Sequence, residues 1–243
     1  MNALPGTTSR RRIYLMRHGH VDYLAKHVVD SGAIHAVALT PRGKLQAEAA
    51  GKALSHVVFE RAVCSGLPRT LETAEGVLSQ NPRAPRLEID SDLVEIQGGT
   101  MPKVKSREEL IAIMDNSFAR AHEHGAANFE RGEIFASAQT RSVGAVERLL
   151  RAPDWCTALV VAHEGINRLL LSWASGSGLS AMSAFEQDTG CINIVDFDTK
   201  DGGGIGRIRI KAVNLTPYNW LKHGMNMTSL EAIFERDATE ELR

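Results

Sequence analysis

The chain has 243 residues, 28 basic and 29 acidic, for a net charge of −1. That length suits one α/β domain with an insertion, and the near balance of charge excludes a global field that would favour nucleic acid or an anionic membrane. Three cysteines, Cys64, Cys156 and Cys191, are odd in number and widely spaced, which argues against a disulfide framework or a zinc knuckle and reads as reduced, buried thiols.

The opening residues lack an apolar signal-peptide core, and no uninterrupted apolar run reaches transmembrane length, so a soluble, cytoplasmic protein is expected. Residues 1–12, with Pro5, Gly6 and the arginines Arg10, Arg11 and Arg12, read as a flexible, solvated lead. The run from Ile13 to Met16 reads as a buried strand ending in Arg17-His18-Gly19-His20, where the glycine lets the chain turn sharply or approach a ligand closely. An irregular stretch from His20 to Leu39 follows, long enough to cover a site. Thr40-Pro41 then opens a helix to about Leu54, with Leu45, Ala49, Lys52 and Ala53 setting its spacing.

Arg61 to Ser65 reads as a second buried strand and Pro68 to Ala74 as the helix after it, which places Arg69 near a helix N-terminus. A short strand is expected at Leu87 to Ile89. Ser106-Arg107-Glu108-Glu109 is a capping box opening a helix with Leu110, Ile113, Met114 and Phe118 on one face. A further helix is expected from about Glu133 to Arg151, then a strand through Ala158 to Ala162, then His163-Glu164-Gly165 and a helix from Ile166 to Ala174. Cys191 to Phe197 and Gly206 to Val213 flank the glycine-rich stretch Asp198 to Gly204, a hairpin signal.

Three strand-to-helix handovers thus carry Arg17 and His18, Arg69, and His163. Neighbouring strands in one sheet would bring them together, and ligands bind beyond the carboxyl ends of such strands. The result would be a cationic pocket suited to a phosphoryl group, since guanidinium forks and helix N-termini both bind phosphate oxygens. The arginines disfavour an imidazolium, which would leave His18 neutral and nucleophilic.

The matching residues are Leu15-Met16-Arg17-His18-Gly19, Leu39 to Ala47, Cys64 to Ala74, Leu93-Val94-Glu95-Ile96, Gly132-Glu133 with Arg141, and Val160 to Leu170. In order and spacing they resemble the histidine phosphatase superfamily, in its phosphoglycerate-mutase-like branch. The resemblance implies a three-layer α/β sandwich, a mostly parallel central sheet flanked by helices, with residues 13–243 as the domain and a small helical cap insertion at about 96–131. It implies that His18 attacks phosphorus, that Arg17, Arg69 and His163 hold the phosphoryl oxygens, and that Glu95 exchanges protons with leaving group and water. It requires no metal and no cofactor, because the arginine pair neutralises charge and the protein mainly positions the reactants. A small phosphorylated metabolite is the expected partner, with no nucleic acid or membrane, and a homodimer is compatible.

The chain departs from the family at His20, Val21 and Leu24, positions expected at the rim of the phosphate pocket, and their change argues for phosphatase over mutase chemistry. Three side chains read more simply as packing or capping groups: Trp155 and Trp173 as core, and Glu164 as a cap for the helix after it. Trp220 reads as core on the same ground, and His122, Glu123 and His124 as a solvated face. Two other functions compete with this reading. A binuclear metal hydrolase would use His18, His20, Asp22 and His163, but it lacks a ligand at Tyr23 and sets Arg17 beside cations. A noncatalytic phosphometabolite-binding protein has no use for His18, Glu95 and His163 together.

Overall fold

The computed structural model describes residues 5–23, 25–31, 33–100 and 106–222. Its centre is a six-stranded sheet in the order β3-β2-β4-β1-β5-β6. The strands are β1 (Ser9–Arg17), β2 (Arg61–Cys64), β3 (Leu87–Ile89), β4 (Thr157–Ala162), β5 (Ile192–Thr199) and β6 (Ile205–Leu215). The first four of that order are parallel and the last two antiparallel, the hairpin expected around Asp198 to Gly204.

Among the described residues six α-helices accompany the sheet: α1 (Lys26–Ser31), α2 (Pro41–Leu54), α3 (Pro68–Leu78), α4 (Arg107–Ala119), α5 (Phe135–Arg151) and α6 (Glu164–Ala174). Successive residues of β1 point to opposite faces, and both are apolar because both are covered. Tyr14 and Met16 pack with Ala50 and Leu54 of α2 and Ala74 and Val77 of α3. Ile13 and Leu15 pack with Leu149 and Leu150 of α5 and Ile166 and Leu169 of α6. The three-layer, mostly parallel arrangement is therefore present. Ser106 caps α4 by accepting from the Glu109 amide, and Phe118 packs against the core, whereas the side chains of Leu110 and Met114 lie outside the described ones.

Several local expectations change. The first strand begins at Ser9, inside the stretch 1–12 that reads as a flexible lead, of which residues 1–4 lie outside the description. Arg10 and Arg12 face Asp198 and Asp196 across the β1–β5 ladder, each 2.6 Å from its carboxylate, and Arg11 lies 4.7 Å over the Trp155 ring. Alternating arginines read as solvated in sequence because their aspartate partners are nearly 190 positions away. Leu45 is 66% exposed, and α2 instead buries Gly43, Gln46, Ala47, Ala50, Gly51 and Leu54. Small residues there let α2 and α3 approach closely. Cys64 and Cys191 are buried but Cys156 is exposed, and Trp220 is exposed while Trp155 is buried.

Candidate active site

Four parallel strands side by side deliver their C-terminal ends to one edge of the sheet. His18 follows β1, Ser65 and Arg69 follow β2, His163 follows β4, and the chain beyond β3 carries Glu95. Arg17, His18, Arg69 and His163 are all buried. The two imidazoles meet edge to face with centroids 5.2 Å apart. His18 Nδ1 lies 2.7 Å from the Gly19 carbonyl oxygen, which can only accept, so that nitrogen carries the proton and Nε2 keeps a lone pair. His163 Nε2 lies 2.8 Å from Ser65 Oγ, itself 2.9 Å from Thr70 Oγ1.

Burial lowers the His18 pKa well below the ordinary value, with Arg17 and Arg69 adding to it. The arginines are the cause that the sequence displays, but loss of water is the larger one. His163 is lowered likewise, by burial first and then by His18 and the arginines. Both rings are therefore neutral. Among the described residues, Arg69 Nε is a buried donor and His163 Nδ1 a buried ring nitrogen with no protein partner. Unmet buried polar atoms are costly in a folded protein, and two of them beside His18 mark a site suited to an anion.

Glu95 is positioned by a device not visible in sequence. Its carboxylate accepts from the Ile96 amide at 2.9 Å and the Gly165 amide at 3.2 Å, at the start of α6. A Cβ on Gly165 would stand 2.7 Å from Glu95 Oε1, so only glycine admits that approach. The segment is held from behind by Arg141, whose guanidinium donates to the carbonyls of Asp92, Val94 and Glu95 and pairs with Glu133. Burial raises the Glu95 pKa, against the two amide bonds that lower it.

The remaining candidates fall elsewhere. Gly19 packs against the α2 backbone: a Cβ there would stand 2.5 Å from the Gly43 carbonyl oxygen. Its role is chain crossing. Val21 is buried with Val28, Val37, Leu39 and Ala47 in a small apolar cluster that Tyr23 packs against, and Leu24 lies outside the described residues. His20 braces the loop between β1 and α2, with Nδ1 2.9 Å from Thr40 Oγ1 and its amide donating to Gln46. Glu164 does not cap α6; its side chain pairs with Arg17 and Arg168. His122, Glu123 and His124 are exposed. Among the described residues no three His, Cys, Asp or Glu side chains gather in a metal-binding group. Ser65, Arg141, Glu164 and Tyr23, whose ring lies 5.7 Å from the Arg69 guanidinium, were the site groups that sequence reasoning passed over. Ser65 and Glu164 at strand exits and Arg141 among the family-like residues carried a signal in sequence.

A parallel sheet with this pocket at its carboxyl edge defines an α/β enzyme class that sequence comparison names. The profile of the histidine phosphatase superfamily (branch 1) matches residues 13–207, and the chain belongs to that superfamily. It is 29% identical over 189 residues to the adenosylcobalamin/alpha-ribazole phosphatase of Escherichia coli, covering 78% of this chain and 91% of that one. It is 26% identical over 218 residues to the 2-carboxy-D-arabinitol-1-phosphatase of Triticum aestivum, covering 88% of this chain and 42% of that one. The crystal structure of the alpha-ribazole phosphatase of Shigella flexneri superposes with a TM-score of 0.62 at 26% identity, covering 84% of this chain and 96% of that one.

Proposed function

We propose that this protein hydrolyses phosphomonoesters of small metabolites through a phosphohistidine on His18, as the phosphatase names of its relatives suggest. The observation that carries the reading is the pair of unpartnered buried nitrogens, Arg69 Nε and His163 Nδ1, beside an imidazole whose Nε2 lone pair is defined by the Gly19 carbonyl. In the first half-reaction Nε2 attacks phosphorus and the bond to the leaving oxygen breaks, with Glu95 supplying the proton that oxygen needs. In the second, water gives a proton to Glu95 and attacks phosphorus, the N–P bond breaks, and inorganic phosphate leaves a neutral His18. Arg17, Arg69 and the Nδ1–H of His163 hold the transferring oxygens. For Nδ1 to donate, Ser65 must spend its one hydroxyl hydrogen on Nε2 and accept from Thr70, a chain that the 2.8 Å and 2.9 Å contacts permit.

Hydrolysis is favoured over mutase chemistry by the relatives, which are phosphatases by name. Two buried thiols, Cys64 and Cys191, support a reducing cytoplasm as the setting. No helix among the described residues is long and apolar enough to cross a membrane. The test is acid- and base-quenched turnover of a ³²P-labelled phosphomonoester after exhaustive chelation. An acid-labile, base-stable label that vanishes in His18→Ala is expected, with phosphate release surviving the chelator. Label on another residue, or activity that needs added Zn²⁺ or Mn²⁺, refutes the mechanism.

A further inference from the structure

Guanidinium groups around the site are held in two ways. Arg17 pairs with Glu164 at 3.0 Å, Arg168 with Glu164 and Glu186 at 2.9 and 2.8 Å, and Arg141 with Glu133 at 2.6 Å. Arg69 is buried as deeply as Arg17 and Arg168, yet among the described residues it pairs with no carboxylate. What touches it instead comes from the connection between β1 and α2. Its Nη1 donates to the Ile34 carbonyl at 3.3 Å, and its guanidinium carbon stands over the Tyr23 ring, 5.7 Å from the ring centre. Its Nε has no protein partner.

A carboxylate in that place would fix the guanidinium but also cancel its charge, and it would compete with a phosphoryl group for the same donors. An aromatic face attracts a cation through its quadrupole and takes up no N–H donor. Arg69 is thereby held without being neutralised, and Nε stays open. Tyr23 is itself anchored. Its ring packs against the cluster of Val21, Val28, Val37, Leu39 and Ala47, and the connection is tied at its far end by the Leu39 amide, which donates to Glu72 of α3 at 3.2 Å. Burial raises the phenol pKa, with Arg69 and Arg17 pulling the other way, so the ring is neutral at pH 7. Among the described residues its hydroxyl makes no hydrogen bond, and the face is the part of Tyr23 that meets Arg69.

We propose that Tyr23 is a positioning residue whose ring face aims Arg69 at the phosphoryl group while leaving its charge uncompensated, so that the connection between β1 and α2 sets the affinity for that group. This deepens the phosphohistidine reading and rests on it in one respect, that Arg69 binds the phosphoryl oxygens.

The test varies the electrostatics of the ring at nearly constant shape. Position 23 is filled with phenylalanine, then with phenylalanine carrying one, two or three ring fluorines, which weaken step by step the pull of the face on a cation; Tyr23→Leu removes the face altogether. The readouts are the dissociation constant of inorganic phosphate by titration calorimetry and kcat/KM on p-nitrophenyl phosphate. Tyr23→Leu is expected to bind phosphate about 3- to 30-fold more weakly than Tyr23→Phe, the span that a cation over an aromatic ring covers from exposed to desolvated sites. Each added fluorine should weaken binding further between those two limits, with kcat/KM falling in the same order. A flat fluorine series overturns the proposal, and so do Tyr23→Phe and Tyr23→Leu variants that bind phosphate alike. Should Tyr23→Leu not fold, the fluorinated series alone decides, because a purely structural role for the ring would not follow its charge distribution. His18→Ala keeps the two readings apart: undiminished turnover in that variant removes the histidine mechanism itself, whereas lost turnover with a flat series removes only the Tyr23 assignment. A wild type that neither binds phosphate nor hydrolyses p-nitrophenyl phosphate removes both.

Discussion

Removing the Ser65 hydroxyl tests whether the second histidine is tuned from behind. Ser65 is 3% exposed, and its Oγ sits 2.8 Å from His163 Nε2 and 2.9 Å from Thr70 Oγ1. In Ser65→Ala the fully buried His163 keeps Nε2 with no hydroxyl beside it, and leaving a buried polar atom unmet costs about 1–3 kcal/mol. If that cost falls on the transition state, kcat/KM drops about 5- to 150-fold, at about 1.4 kcal/mol per tenfold. The chemistry gives the same direction. Without a donor at Nε2 the neutral ring is released to carry its proton there, which turns a lone pair from Nδ1 toward the phosphoryl oxygens. The assay is kcat/KM on p-nitrophenyl phosphate together with the inhibition constant of inorganic phosphate, and both should worsen. Thermal unfolding separates this from instability, because a loss of 1–3 kcal/mol in a chain this long lowers Tm by roughly 2–12 °C. A folded Ser65→Ala enzyme with kcat/KM within about twofold of wild type would refute the relay.

Gly165→Ala places a methyl 2.7 Å from both Glu95 Oε1 and Ile96 Cδ1, so Glu95 must move. Turnover of an alkyl phosphate, whose leaving oxygen needs a proton, should fall about a hundredfold, and p-nitrophenyl phosphate much less; equal losses on both would contradict the acid role of Glu95. Acid should destabilise the fold through His18 and His163. Their folded pKa values are lowered, so below about pH 6.5 the unfolded chain binds protons that the folded chain refuses, and stability falls as pH falls. Tm measured from pH 7.5 to 5 should decline, and His163→Asn should flatten the decline; an unchanged slope in that variant would remove His163 from the account.

The strand-to-helix handovers were readable in the chain itself because they depend on local chemistry. A short apolar run ending in Arg17-His18-Gly19, a proline opening α3 next to Arg69, and an apolar run ending at His163 each declare a buried strand with polar groups at its exit. Alternation and helix-start signals extend over a few residues, so local sequence determines them. The pairing of strands was a different matter. That β4 lies between β1 and β2, so that His163 faces His18, follows from register contacts such as Met16 with Val161 and Cys64 with Val161.

Only the tertiary structure decided what touches the site groups. The partners of Arg12 and Glu95 lie 184 and 70 positions away in the chain, and nothing in local pattern distinguishes a paired arginine from a solvated one. Val21 and Leu45 show the same limit from the apolar side: one is buried in a small cluster and the other exposed on α2, according to which face the neighbouring element covers. Charge pairing and burial are properties of three-dimensional proximity, and the His18 pKa shift owes more to lost water than to the arginines that the sequence displays. The residue types at the site were therefore set by the sequence, and their protonation, aim and company by the packing of strands far apart in it.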